Sequence, residues 1–474
     1  MATLSVLGEH LPIKNKVLVV PETCFGVPTG WEGTKVPVET NAARPTRLRD
    51  NRDFRLWWGG TVLSAIGDEV TAIALPLLVL LMTSSPLHAG LVGSVEAIPP
   101  LLLALPAGAL VDRISRRGLM IGSSVLSMVS ITSIPIAYLL DSLTLPQLYV
   151  VAVVNSAAAT VYRIANTAAL PRIVGQHKLG AAAGQSEMIW GIATIIAPPL
   201  AGLMFEVTGP SSPFMIDAIS FLAIALCILG IRAKLGPDRR RSDEPMAWRA
   251  ELTGGGKIAM SLPLLRSLTI LTSIGDFLFA GIGLLLIVLV KNNGAAGIEI
   301  GTVFTFAAVA GIVGSLLAPK LEDKLGLLPT VIGKHWITAA LFPLLLLDLP
   351  GWGTALVWGV ICLQIAVLNV IQMKYLMGIV PNEHLGKVEG FLTFISKTTL
   401  PLGYALTGLL LEAFGVPGTL LVYEVVLVLL AIYATLTPEL RPGARQPARL
   451  RLRRRPAPGP THTGDVHRRQ PNGR

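Results

Sequence analysis

Charge is scarce in this sequence. Asp, Glu, Lys and Arg make up 14% of the 474 residues, against 52% apolar. A water-soluble domain needs more charge than that to cover its surface, so a membrane class is expected. Cysteine is nearly absent. Of Cys24, Cys227 and Cys362, two fall inside apolar runs and none forms a CxxC, which argues against a disulfide framework or a metal site. Enzymatic and ATP-driven chemistry also lack their signatures. No HExxH, GxSxG or G-x-x-x-x-G-K-[ST] occurs, and TGGGKI (253–258) lacks both the first glycine spacing and the hydroxyl residue. No enzyme, cofactor or metal is therefore expected, and any pumping has to draw on an ion gradient or a partner chain. A secretory signal is not expected either, because VLVV after Lys14 and Lys16 is too short for its apolar region.

The formal charge is +10, but residues 441–474 alone hold ten Arg against the single acid Asp465. The remainder is close to neutral. A basic tail beside a membrane meets anionic lipid headgroups, so a bilayer rather than a nucleic acid is the expected partner.

Apolar runs near the roughly 20 residues that cross a bilayer recur along the chain. They read as spans at 56–82, 89–111, 118–140, 146–170, 181–205 and 213–232. After a polar break come 265–290, 299–319, 329–349, 353–377, 387–411 and 417–437. The expected fold class is an all-α membrane protein. Its parts are an irregular extension (1–50), a six-helix bundle (51–232), a central loop (233–264), a second six-helix bundle (265–437) and a basic tail (438–474). Orientation follows from Lys and Arg. With the N-terminus inside, the outer links hold one such residue, Lys291, whereas the inner segments 112–117, 171–180, 233–264 and 320–328 hold thirteen. Both termini are therefore expected in the cytoplasm, with the chain crossing the cell (inner or plasma) membrane.

The two blocks of six repeat one another at an offset of 206 to 208 residues. SAIGDEVTAIALPLLVLLM (64–82) matches TSIGDFLFAGIGLLLIVLV (272–290), pairing Asp68 with Asp276. IVGQHKLGAAAG (173–184) matches IVPNEHLGKVEG (379–390). AGLMFEVTG (201–209) matches TGLLLEAFG (407–415), pairing Glu206 with Glu412. A duplicated six-helix unit explains three collinear matches.

GALVDRISRRG runs from Gly108 to Gly118, between the second and third spans. It resembles the signature of major facilitators, G-x-L-x-D-R-x-x-R-R-x-G. Gly108 fits the small position, Asp112 the acid, Arg113, Arg116 and Arg117 the basic cluster, and Gly118 the closing glycine. The counterpart GSLLAPKLEDKLG (314–326) is degenerate, with Pro319 in the acid's place. RDFRLWWGG (52–60), AIGDEVTAIALPLL (65–78) and SVEAIPPLLLALPAGAL (94–110) resemble the branch of macrolide-efflux and enterobactin-exporter proteins among drug:proton antiporters. The resemblance covers about residues 50–437. It implies twelve helices in two pseudo-repeats, with a substrate site at the midplane between them. It also implies a gate at the 108–118 motif, where Asp112 sits against the positive end of another helix and the arginines pair with acids. Exporters of this kind carry a Gly-Pro-rich helix 5. Here it reads GIATIIAPPLAG (191–202), with Gly191, Pro198, Pro199 and Gly202 in place but Ala197 and Ala201 where glycine is usual.

Ionisable groups inside spans are costly and mark function by default. Thr61, Ser64, Asp68 and Thr71 recur at helical spacing as one polar stripe, echoed by Thr269, Thr272 and Asp276. Both stripes are expected to face a central cavity, with Asp68 and Asp276 binding protons or substrate. Glu96, just before Pro99 and Pro100, is expected beside them. Lys397, counted to a similar depth, is expected to bridge to one of the aspartates. Asn155, Tyr162 and Asn166 share a face with Arg163 beside them, and Gln364, Asn369 and Gln372 form a second polar set. Such groups serve as interhelical bonds or as cavity ligands. His335, next to Lys334, is expected at the interface.

The function expected from these residues and the resemblance is proton-coupled efflux of a small amphipathic molecule (a drug, a macrolide-like product or a siderophore) by alternating access, carried out by a monomer. The same architecture permits an importer or facilitator. A membrane sensor is the competing class.

Overall fold

The computed structural model describes residues 48–236, 248–294, 297–347 and 349–440, without the side chains of 104–109, 112, 248–252 and 382. Among the described residues there is helix and no strand. The helices are α1 (Arg52–Thr83), α2 (Pro86–Arg113), α3 (Arg116–Leu139), α4 (Leu145–Val174), α5 (Leu179–Val207) and α6 (Ser212–Gly230). They continue as α7 (Trp248–Ser261), α8 (Pro263–Ala280), α9 (Ile282–Asn292), α10 (Gly297–Leu325), α11 (Leu327–Leu341), α12 (Gly351–Ile379) and α13 (Asn382–Leu436).

Local chemistry sets where several of them begin. The Asn51 side chain accepts from the Asp53 and Phe54 amides at the start of α1. Ser85 and Ser115 cap α2 and α3 in the same way. Proline stands in the first turn of α2, α4, α6 and α8, where its missing N–H costs nothing. Among the described residues eleven helical stretches are long and apolar enough to cross a membrane, and Ile282–Asn292 is a shorter apolar piece. α13 has 55 residues, so at about 1.5 Å per residue it is far too long for one crossing of an apolar layer about 30 Å thick. Gly415 breaks it with φ 65° and ψ −173°, two residues before Pro417. Counting α13 as two crossings, and α8 with α9 as one, gives the expected twelve.

Details differ from the expectation. The seventh span is interrupted at Gly281, and the ninth ends in a 3-10 turn, Phe342–Leu346. The segment read as a central loop carries the helix α7. The expected extension and tail fall, for residues 1–47 and 441–474, outside the described residues, as does 237–247 of the loop.

α1 packs on α5 and α6, α4 on α2 and α3, and α3 on α6, making one bundle. α10 with α12, and α13 with α7, α8 and α11, make the second. The bundles meet along two seams, α2 with α13 and α5 with α10. We call the end where α1 starts proximal and the opposite end distal. Both seams are tight distally. Gly90 and Gly408 lie backbone to backbone, such that a Cβ on Gly408 would come 2.8 Å from the Pro86 carbonyl oxygen. A Cβ on Gly202 would land on the carbonyl of Gly297, and Thr305 donates to the Ile195 carbonyl at 3.0 Å. Glu412 reinforces the first seam by accepting from the Ser85 hydroxyl at 2.9 Å and the Leu87 amide at 3.4 Å. By the internal repeat its counterpart is Glu206, which lies beside Gly297 at the second seam.

Burial follows the same polarity. Leu75, Leu77, Leu78, Val79 and Leu80 in the distal half of α1 are all buried, as is every residue from Leu284 to Val290 of α9. A helix buried on all sides sits at the centre of its bundle. Toward the proximal end α5 and α13 instead expose long stretches around residues 181–190 and 389–398. The two described bundles are closed against one another distally and open proximally.

Candidate functional site

A cavity of about 520 Å³ opens in the proximal half of the first bundle. α1 contributes Thr61, Ser64, Asp68 and Thr71, whose spacing of three and four residues puts them on one face, as expected. α4 adds Asn155, Tyr162, Arg163 and Asn166, and α2 adds Glu96 and Pro100. Ser123, Ser124 and Ser127 come from α3, and Glu187 and Trp190 from α5. The wall is held by short bonds. The Trp57 indole donates to Asn166 Oδ1 at 2.6 Å, Thr61 donates back to the Trp57 carbonyl at 2.7 Å, and Ser156 donates to the Glu96 carbonyl at 2.6 Å. Asn155 Oδ1 is buried and has no hydrogen-bond partner among the described residues. Arg163 is the one base among the lining residues, which also include the acids Asp68, Glu96 and Glu187.

Asp68 lies in the field of Asp217, Glu69 and Glu96. Asp217, on α6, exposes none of its surface and accepts from the Thr71 hydroxyl at 2.5 Å. The sequence signal for it is the same as for Asp68, an aspartate inside an apolar run, SPFMIDAISFLAIALCILG. Glu69 falls outside the cavity, and its charge and that of Glu96 reach Tyr404 on α13.

The second bundle holds a smaller cavity of about 380 Å³, lined by Thr269, Thr272, Asp276, Asn369, Gln372, Glu389, Ser396 and Lys397. The two stripes that repeat in sequence therefore line two corresponding cavities. The expected bridge from Lys397 to Asp68 or Asp276 is not among the described ion pairs. Asp276 instead accepts a short bond from the Ser396 hydroxyl, and Lys334 on α11 is the base that feels its charge. Lys397 lines the same cavity as Asp276, and the sequence carried no information on the neighbouring Ser396. Gln364 lines neither cavity. Its amide donates to Thr338 Oγ1 at 2.8 Å, tying α12 to α11, so it is interhelical glue. His335 is buried rather than interfacial, bonded through Nδ1 to the Val331 carbonyl at 2.8 Å.

The 108–118 motif sits at the proximal end. Gly108 and Asp112 are helical in α2, and their surroundings lie outside the described residues. Arg113 is exposed, and the Gly118 amide donates to the capping Ser115 hydroxyl at 3.0 Å. Arg116 and Arg117 both donate to backbone carbonyls. Arg116 reaches Gly236 at 2.9 Å, and Arg117 reaches Ile231 and Ala233. The free carbonyls and negative dipole at the C-terminal end of α6 attract these guanidiniums. Asp53 completes the arrangement by accepting from the Arg232 and Ala233 amides at 2.8–3.1 Å. In α5, Pro198 and Pro199 abut Gly301 and Gly202 abuts Gly297, so most of this motif forms the α5–α10 seam. Gly191 lines a groove between those two helices, which Glu187 shares with the large cavity.

Known proteins match over most of the chain. Multidrug efflux pump Tap of Mycolicibacterium fortuitum is 26% identical over 389 residues, covering 79% of this chain and 93% of its own length. Macrolide efflux protein A of Streptococcus pyogenes is 24% identical over 398 residues, 82% of this chain and 96% of its own. Enterobactin exporter EntS of Shigella boydii serotype 18 is 22% identical over 370 residues, 76% of this chain and 86% of its own. Among solved structures, a point mutant of nucleoside transporter NupG superposes with a TM-score of 0.68 at 13% identity, covering 81% of this chain and 99% of that one. A bacterial homologue of the iron transporter ferroportin in an inward-facing state gives 0.65 at 15% identity, covering 82% and 98%. These structures speak to the fold alone. The family model of the Major Facilitator Superfamily matches residues 57–326 and 268–470. With that match, the two six-helix bundles and the repeated stripe, the chain belongs to the Major Facilitator Superfamily.

Proposed function

We propose that this membrane protein is a proton-coupled exporter of a small amphipathic molecule, working as a monomer by alternating access. The observation that carries the reading is the acid-rich cavity of the first bundle, open proximally beneath a distal end sealed by both seams. The names of the relatives, efflux pumps and an exporter, point the same way. The aromatic walls Trp57, Tyr162 and Trp190 suit an apolar body, and the carboxylates suit its polar or cationic part. The proximal end is the cytoplasmic one on the distribution of Lys and Arg, so the cavity loads from the cytoplasm. The coupling acid is Asp68. It takes a proton when the cavity faces outward and yields it inward, where substrate competes for the same position. Asp112 and the arginines after it act at the cytoplasmic gate.

Everted vesicles test the export reading. Macrolides, other drugs or siderophores should accumulate on energisation, and a protonophore should abolish the accumulation. Accumulation that survives the protonophore would remove proton coupling. Orientation is tested separately with Ser242→Cys in a chain whose own cysteines have been replaced. An impermeant thiol reagent should label it only in opened cells, and labelling in intact cells would invert the topology.

The distal seam predicts a further result. Glu412→Gln keeps a hydrogen-bond acceptor for Ser85 and Leu87 but removes the charge at the N-terminal end of α2. Loss of a charge-assisted cap of this kind shifts the equilibrium toward the outward-open form by roughly three- to tenfold. Spin labels across the distal end should report a larger population at long distance. An unchanged distance distribution would remove Glu412 from the gate.

A further inference from the structure

We propose that Asp217 is a second proton-binding residue of the coupling site, placed behind Asp68 and connected to the cavity through the Thr71 hydroxyl. This deepens the reading of Asp68 given above and rests on it.

Position is the first argument. Asp217 lies within an apolar span and exposes none of its surface, while its one bonded neighbour from another helix among the described residues, Thr71, lines the cavity one turn beyond Asp68. Room has been made for it. A Cβ on Gly67, the residue before Asp68, would strike Asp217 Oδ1 and come 2.5 Å from the Ser220 hydroxyl. The absence of a side chain at 67 thus lets the carboxyl lie against the backbone of α1.

The hydrogen count is the second argument. Thr71 donates to Oδ2. Ser220 is 2.7 Å from the carbonyl of Asp217 and 3.1 Å from Oδ1, and its single hydroxyl hydrogen serves the nearer carbonyl. Oδ1 then faces an oxygen whose hydrogen is committed elsewhere. A proton on Oδ1, donated to Ser220 Oγ, satisfies both. A bare carboxylate would be left with one donor in a buried site, a costly arrangement.

Among the described residues no base is bonded to Asp217, although Arg163 lines the adjoining cavity. The helices packed on α6 are α1, α3 and α5. α1 brings Asp68 and Glu69, with Glu96 of α2 next to Asp68. α3 has no titratable side chain from 118 to 137. α5 carries Glu187 at the cavity and Glu206 at the distal seam. Among the described ion pairs none involves Asp217.

Transfer balances within the pair. When Asp68 is a carboxylate, the Asp217 carboxyl turns its O–H from Ser220 to Thr71 Oγ and the Thr71 hydroxyl turns its hydrogen from Oδ2 into the cavity toward Asp68; the O–H of Asp217 then breaks as its proton passes to Thr71 Oγ, and the original Thr71 hydroxyl hydrogen passes to Asp68. One carboxyl and one carboxylate remain, with their places exchanged. The deep acid would retain a proton while substrate occupies Asp68, and return it when substrate leaves.

Infrared difference spectroscopy between acid and alkaline pH, on the full chain in proteoliposomes without added substrate, tests this. Carboxyl bands assigned to Asp68 and Asp217 are expected in the wild type. Asp217→Asn should lose one band and shift the other, Asp68→Asn should do the converse, and Thr71→Val should keep both bands but shift the Asp217 band. Asn retains an acceptor for Thr71, so the thermal midpoint of Asp217→Asn should stay near that of wild type. If Asp217→Asn folds and its difference spectrum equals that of wild type, the proposal is overturned. If Asp217→Asn instead fails to fold, a Thr71→Val spectrum identical to wild type overturns it. Should only Asp68→Asn leave the spectrum unchanged, the coupling role of Asp68 fails while Asp217 stands as a proton-binding residue.

Discussion

Asp68→Asn is expected to reduce gradient-driven accumulation in everted vesicles to the level of a protonophore-treated control, while substrate still binds and exchanges passively. Asn has nearly the shape of the protonated acid, keeps polar atoms in the cavity and cannot release a proton. The stripe Thr61, Ser64 and Thr71 around position 68 stays in place, so the cavity should remain formed. What disappears is the change of charge that lets substrate and proton exclude one another. Asp68 is suited to that exchange because it stands at the cavity among Glu96, Glu69 and Asp217, and a charge held inside a span is stable only at a site built for it. Asp276→Asn should be milder. Its carboxyl is engaged by Ser396 and sits in the field of Lys334, so it belongs to a more balanced cavity. If Asp68→Asn still drives uphill transport with the pH dependence of wild type, Asp68 is not the coupling residue. Glu96, which lines the same cavity, then takes its place.

The fold was largely legible in the sequence because hydropathy fixes the number of crossings. The α1 stripe was legible for a related reason, since residues three and four apart share a face whatever the helix packs against. Features that depend on another helix were not legible. Nothing in the run 265–290 announces that Gly281 will lie against Thr407 and interrupt the helix, and Gly415 broke a single helix where two with a loop were expected. Gln364 and Asn369 look alike in sequence, five residues apart, yet Gln364 meets Thr338 while Asn369 faces the second cavity. Arg117 is similar. Its spacing places it in the motif, but its partners are carbonyls supplied by residues more than a hundred positions away. Asp217 is a different kind of miss, since its sequence signal was present and unused.

Gly202→Leu is expected to shift the protein toward a distally open form and to lower transport by roughly tenfold or more, with normal insertion and abundance. A Cβ at 202 would overlap the Gly297 carbonyl oxygen and lie 2.6 Å from its carbon, and these are backbone atoms that cannot swing aside. The larger side chain can be accepted only if the distal ends of α5 and α10 move apart. Overpacking of a tight contact costs about 1–3 kcal/mol. At 1.4 kcal/mol per factor of ten, that is roughly a five- to 150-fold change in the balance between the two forms. The motif supplies its own control. Gly191 lies eleven residues earlier on α5, and a Cβ there meets nothing within 4 Å, so Gly191→Ala should transport as wild type. Spin-label distances across the distal end, read in both variants, separate a displaced equilibrium from a damaged fold. The interpretation of this seam as the outer gate is wrong if Gly202→Leu keeps the distal end closed and still transports at the wild-type rate. If instead both variants lose activity equally, the motif acts through the helix itself rather than through its approach to α10.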